Sequence, residues 1–180
     1  EISFKPAKVK ENVIAAGLFS FNLHDYDFNL MGGIKKEKWF SGFSWVGDVY
    51  GAGFRGEFLL NQRNKILIQQ LNNTFGSDNP YYSFVLSGDY TFPNSFYIHT
   101  EVLHNSIGKN NQTGEFQEQA LNLGLLTSAR WSLYQEIAYD FHPLVRGTLF
   151  GLFNPDDKSF VIVPSMSYSV ITNLDLLILV

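Results

Sequence analysis

From Tyr81 to His104 the chain alternates with a period of two on both sides of a short turn. The even positions Tyr82, Phe84, Leu86, Gly88, Tyr90 and Phe92 face the odd positions Ser83, Val85, Ser87, Asp89 and Thr91. After Pro93-Asn94-Ser95 the pattern resumes, with Phe96, Ile98, Thr100 and Val102 against Tyr97, His99, Glu101 and Leu103. Successive side chains of a strand point to opposite faces, so this is a hairpin with one oily face and one polar face. Phe84 and Leu86 belong to the oily side, and Ser87 to the side that meets water.

A soluble sandwich also alternates, and the position of the rings decides between the two environments. Tyr90, Phe92, Phe96 and Tyr97 bracket the turn, where a membrane-spanning barrel carries its interfacial aromatic residues. Composition agrees. Aromatic residues make up 16% of the 180, while charged residues make up only 17%, against about 25% in an ordinary soluble protein. No apolar run approaches the roughly 20 residues of a transmembrane helix; the longest, Leu176–Val180, is far too short. The mean hydropathy of -0.05 suits a barrel that alternates oily and polar positions. The absence of cysteine removes disulfides, thiolate zinc sites and thiol catalysis. A net charge of -4 with both signs scattered argues against a nucleic-acid partner.

The same periodicity recurs along the chain. Residues 1–11 are charged, contain Pro6, and read as a linker or loop with room for a short edge strand. Residues 12–180 read as one β-barrel segment of about ten antiparallel strands. Strands are expected from Val13 to Phe21, over Tyr26–Ile34, from Trp39 to Val46 with a turn at Gly47–Gly51, and from Ala52 to Leu60. The later ones are expected over Ala129–Phe141, Leu144–Phe153, Ser159–Ile171 and Leu174–Val180. Connections alternate in length. Pro93-Asn94-Ser95, His142-Pro143 and Thr172-Asn173 are short, whereas residues 62–80, with a helical turn expected over Ile66–Leu71, and residues 105–119 form long polar loops on the other side of the sheet. The chain begins at Glu1 and stops inside a strand, so it reads as a piece of a longer protein. A curved sheet that fails to seal between the Val13–Phe21 and Leu174–Val180 strands is therefore expected.

In these features the chain resembles the porin-like outer-membrane β-barrel proteins of bacteria. The residues that carry the likeness are Trp131 to Phe141, the turn Asn154-Pro155-Asp156-Asp157-Lys158-Ser159, the run Pro164-Ser165-Met166-Ser167-Tyr168-Ser169, and Asn173 to Leu177. The likeness is one of pattern and includes no catalytic motif. It implies a passive pore for small solutes, located in the bacterial outer membrane. The strand number is lower than is usual for that family.

Three constellations bear on chemistry. Gly51-Ala52-Gly53-Phe54-Arg55-Gly56 spells a dinucleotide-binding fingerprint, but it opens an alternating strand instead of a helix, so the glycines are read as relief of crowding. His99 and Glu101 share a face, His104 has the opposite parity, and the three do not converge on a metal. Asp156-Asp157 is explained by turn chemistry, with no twelve-residue calcium loop around it. The remaining polar-face charges are Arg55, Glu57, Asp89, His99, Glu101, Arg130, Glu136, Asp140 and Arg146. A charge on the lipid side near the midplane costs about 2–4 kcal/mol for Arg or Lys, so these residues are expected to line a lumen and to pair across strands, for instance Arg130 with Glu136.

The function expected from the sequence is a channel segment through which small solutes pass passively. No catalytic residue, metal or cofactor is assigned. Partners are outer-membrane lipids and small solutes, and homo-oligomerisation is compatible with the pattern. Two alternatives belong to other classes. An outer-membrane barrel enzyme of lipase or protease type would need a Ser-His-Asp set, and Ser83, Ser87 and Asp89 have no histidine on their strand. A soluble ligand-binding β-barrel would remain in the aqueous phase without detergent.

Overall fold

The computed structural model of the chain describes residues 2–5, 14–35, 38–62, 80–110 and 127–179. It is all-β. The strands are β1 (Ile2–Lys5), β2 (Ile14–Leu23), β3 (Tyr26–Lys35), β4 (Lys38–Val49), β5 (Ala52–Asn61), β6 (Tyr81–Thr91), β7 (Phe96–Asn105), β8 (Trp131–His142), β9 (Val145–Asn154), β10 (Ser159–Ile171) and β11 (Leu174–Leu179). They form one sheet whose spatial order is the sequence order, β1 to β11. Every pair is antiparallel. The two outermost strands do not pair with each other, so the sheet is an open, partial barrel.

The local reasons are those of hairpin chemistry. The β2–β3 turn places His24 and Asp25 at positive φ, and the β4–β5 turn does the same with Tyr50 and Gly51. Both match the two-residue turns whose twist suits a right-handed ribbon. Ser95 and Asn173 supply the left-handed residue of the β6–β7 and β10–β11 turns. These short turns, with that of β8–β9, share one end of the sheet. The connections over 62–80 and 106–130 leave from the other end, as expected from the sequence, but the short β3–β4 and β9–β10 connections lie at that end as well, so the sorting is not complete.

Boundaries differ in places. β4 runs on to Val49 before turning at Tyr50–Gly51, because Gly47 and Asp48 stay in register with Phe54 and Gly53. Residues 2–5 extend the sheet as a short edge strand on Ile14–Gly17. β8 begins at Trp131, and Ala129 makes an isolated bridge with Lys109. The helical turn expected over Ile66–Leu71 and most of the loop over 105–119 lie outside the described residues.

The described residues form a single layer. Among them the fully buried apolar side chains are only Ile107, Ala129 and Ala138, so they supply no second layer over either face. The sheet curls instead. Leu18 of β2 and Leu103 of β7, five strands apart, line the same concavity of about 740 Å³.

Candidate functional site: the two faces of the sheet

Paired residues of an antiparallel ladder share a face, so the registers assign every strand residue. From β2 to β11 the charged residues Asp27, Lys35, Lys38, Asp48, Arg55, Glu57, Asp89, Glu101, Glu136, Asp140, Arg146 and Asp175 all fall on one face. It is the face that carries Leu18 and Leu103, hence the concave one. The opposite, convex face bears no Asp, Glu, Lys or Arg within these strands.

On the convex face the large apolar side chains are open to the surroundings. Leu30, Ile34, Leu86, Leu149, Ile162, Met166 and Ile178 are exposed, and Phe160 is 69% exposed. From β6 to β10 the residues are sorted by depth. Tyr90, Phe92, Phe96, Tyr139, Phe141 and Tyr168 lie toward the short turns, and Tyr82, Phe84, Trp131, Phe153 and Phe160 toward the long connections. Between them stand Leu86, Ile98, Val102, Leu133, Ile137, Leu149, Ile162 and Met166, together with Thr100 and Gln135, whose side chains satisfy each other by a 2.7 Å hydrogen bond from the Thr100 hydroxyl to Gln135 Oε1. The eight-residue step from Tyr82 to Tyr90, or from Trp131 to Tyr139, corresponds to about 26 Å along a strand. The second ring belt was missed in the sequence because its members sit on strands separated by long stretches of chain. Tyr97, grouped with the turn-side rings from sequence, instead faces the concave side, where it pairs in register with Thr91 and Ala138.

Rings of the convex face also lie across glycines of neighbouring strands. A Cβ built on Gly47 would run into the Tyr26 ring, one on Gly56 into Trp45, and one on Gly147 would come within 2.6 Å of Phe141 Cε2. Glycine is required there because the ring occupies the space of a side chain. Gly51-Ala52-Gly53-Phe54-Arg55-Gly56 thus has a packing explanation at Gly56 and a turn explanation at Gly51, whose φ is 85°. No helix follows it.

Of the nine lumen candidates, eight stand in strands on the concave face: Arg55, Glu57, Asp89, His99, Glu101, Glu136, Asp140 and Arg146. Arg130 does not belong to this row. It lies outside the strands next to the Ala129 bridge, donating its backbone N–H to the Lys109 carbonyl at 3.1 Å. The expected Arg130–Glu136 pair does not form, because Glu136 accepts from the Tyr134 hydroxyl at 3.0 Å and lies beside His99. Arg55 pairs with Asp89 across β5 and β6. Arg146 pairs with Asp140 at 3.0 Å, and its guanidinium stands 5.6 Å from the Tyr97 ring centre. Glu57 and Glu101 have no ion-pair partner among the described residues. His99 and His104 face opposite sides, as their parity requires, and His104 stacks on Tyr82 and Phe84 and meets Trp131 edge-on in a convex-face ring cluster.

The concave face is not uniformly polar. Toward the long-connection end Leu18, Met31, Leu59, Val85 and Leu103 line the 740 Å³ concavity together with Asn29, Ser44 and Glu57. The signal in the sequence was the set of breaks in period two, with Met31, Leu59, Val85 and Leu103 standing on the otherwise polar parity. Ser87 does face this side, but it is only 7% exposed, wedged in register between Arg55 and Glu101. Comparison with protein-family models, with curated proteins and with solved structures gave no match.

Proposed function

We propose that the chain is a membrane-spanning β-barrel segment of the porin-like, outer-membrane kind, whose concave face lines a water-filled path for the passive passage of small solutes. One observation carries this reading. Every charged residue of β2 to β11 is on one face, while the other presents open apolar side chains, sorted from β6 to β10 into aromatic rings at both ends and mostly aliphatic residues between. Two ring belts about 26 Å apart along the strands stand about 20 Å apart along the membrane normal at a barrel tilt of about 40°, within an apolar band about 25 Å tall. A soluble sheet of this width would need a second layer over its apolar face, and the described residues provide none.

In lipid, every backbone N–H and C=O must be paired, so the β1 and β11 edges must be satisfied by further strands, from any source, for the path to be sealed. Within the path the Arg55–Asp89 and Arg146–Asp140 pairs neutralise four charges. Glu57, Glu101 and Glu136, with Asp27, Asp48 and Asp175 on the flanking strands, are the carboxylates of this face outside those two pairs.

The test is flotation of the full chain with phosphatidylcholine vesicles after dilution from urea. The proposal requires it to float with the lipid, to resist extraction by carbonate or urea, and to release only with detergent. Recovery of folded β-structure in the aqueous fraction would favour the soluble ligand-binding barrel instead.

A further inference from the structure

We infer that the concavity near the long-connection end binds a single-chain anionic amphiphile, an alkyl carboxylate of about ten carbons, with its head at Lys35 and Lys38 and its tail on Leu18, Met31, Leu59, Val85 and Leu103. The inference rests on the proposed membrane setting, in which the concave face is the one open to water.

The chemistry is set by three features. First, the lining is unusual for a face that otherwise carries the charges of the sheet: five aliphatic side chains from five different strands meet in one concavity of about 740 Å³, with the uncharged polar Asn61, Ser83 and Asn105 around them, within the size range of small-molecule sites. Gly42 keeps the floor open. A Cβ there would already lie 3.2 Å from Met31 Cε and 3.6 Å from Leu59 Cδ1, so any larger side chain would occupy the tail's position.

Second, Lys35 and Lys38 are directly opposite each other in the β3–β4 ladder, on the concave face. Like charges so placed repel, and neither lysine has an ion-pair partner among the described residues. An anion between them turns that repulsion into two charge-assisted contacts. Lys35 itself lines the concavity.

Third, the geometry fixes length and direction. Lys35 and Met31 are four residues apart on β3, about 13 Å, the length of an alkyl chain of about ten carbons, and the Phe40 ring, which lies over Gly33 between them, is the apolar surface that the tail must cross. At the inner end the concavity meets Glu57, which repels a carboxylate. The head is therefore held at the lysine end, and the tail points inward. A cationic amphiphile would take the opposite polarity.

The experiment uses the full chain in zwitterionic nanodiscs, with dansyl-undecanoate as fluorescent probe and decanoate, decanol and decyltrimethylammonium as competitors. Saturable binding beyond that of empty discs is expected, displaced by decanoate at least tenfold better than by the cationic competitor. Lys35→Gln with Lys38→Gln should weaken decanoate by about tenfold and leave decanol unchanged. Gly42→Phe should abolish binding. Leu59→Asn, which adds no bulk, should weaken both decanoate and decanol and serves if Gly42→Phe does not fold. Discs containing phosphatidylglycerol should bind less probe if bilayer lipid competes for the same lysines, and binding unaltered by that lipid places the ligand in the aqueous phase; both outcomes retain an anionic head at this site. Preference for the cationic competitor, or binding indifferent to all of these substitutions, overturns the inference. A chain that does not enter the disc at all counts against the membrane reading itself, whereas a chain that enters and does not bind the probe counts against this inference alone.

Discussion

Leu86→Arg places a charge at the most sensitive depth on the convex face. Leu86 is the central residue of Tyr81–Thr91, about 17 Å along the strand from either end, and its side chain is 40% exposed toward the face that carries no charge. An arginine at the midplane of a membrane barrel costs about 2–4 kcal/mol. At 1.4 kcal/mol per factor of ten, that is on the order of 30- to 1000-fold in the insertion equilibrium. Ser44→Arg is the matched control on the other face. Ser44 stands in register with Glu57 on one side and Asn29 on the other, and its hydroxyl accepts from Asn29 Nδ2 at 3.3 Å. The new arginine loses that bond and gains a water-exposed pair with Glu57, which leaves a net change within about 1 kcal/mol. The assay is refolding from urea into phosphatidylcholine vesicles, with the inserted fraction read by protease protection and tryptophan emission. Equal insertion of the two variants, or a larger loss for Ser44→Arg, would refute the assignment of the faces. Ser87→Arg, which the sequence alone marks as a water-side position, is a poorer control because Ser87 is wedged between Arg55 and Glu101.

Gly33→Ala should lower the urea midpoint by the equivalent of about 1–3 kcal/mol, because its Cβ would run into the Ala15 carbonyl and the Ala16 backbone, whereas Gly17→Ala, with nothing within 4 Å, should change it little. Asp89→Asn should cost less than about 1 kcal/mol, since Arg55 is 43% exposed, yet it should shift the reversal potential of any conductance toward anions; an unchanged potential would mean that Asp89 is not in the path. Asp156→Ala removes the 2.7 Å acceptor of the Trp131 backbone N–H, and should raise hydrogen exchange at that amide by roughly the fivefold that about 1 kcal/mol implies. Unaltered exchange there would show that the turn does not hold the start of β8.

Strand positions and faces were legible because period two leaves little choice once one face is oily. Tyr82 to Phe92 shows it with one break, at Val85, and Ser165 to Val170 shows it without interruption. The short turns were legible where Pro93, Pro143 or Asn173 marked them, whereas Gly47-Asp48 misled because glycine also serves under a ring, here Tyr26. Cross-strand partners were not legible. Arg55 finds Asp89, 34 residues away, through the register of β5 on β6, and register depends on both strands at once. Arg130 was misplaced for a related reason, since the alternation continues through Ala129 while the ladder starts only at Trp131. The second ring belt and the aliphatic concavity are both assembled from strands far apart in the chain. Neither is visible until the sheet order is known.

The most direct test of the two-faced membrane sheet is a single-cysteine scan of β10, which is clean because the chain has no cysteine of its own. Each variant from Ile162 to Val170 is labelled with an environment-sensitive fluorophore, refolded into vesicles, and quenched in turn by doxyl-labelled lipid and by aqueous iodide. Ile162, Pro164, Met166, Tyr168 and Val170 should be quenched by lipid, and Val163, Ser165, Ser167 and Ser169 by iodide, in strict alternation. Uniform quenching by iodide along the strand, or alternation in the opposite phase, would contradict the account.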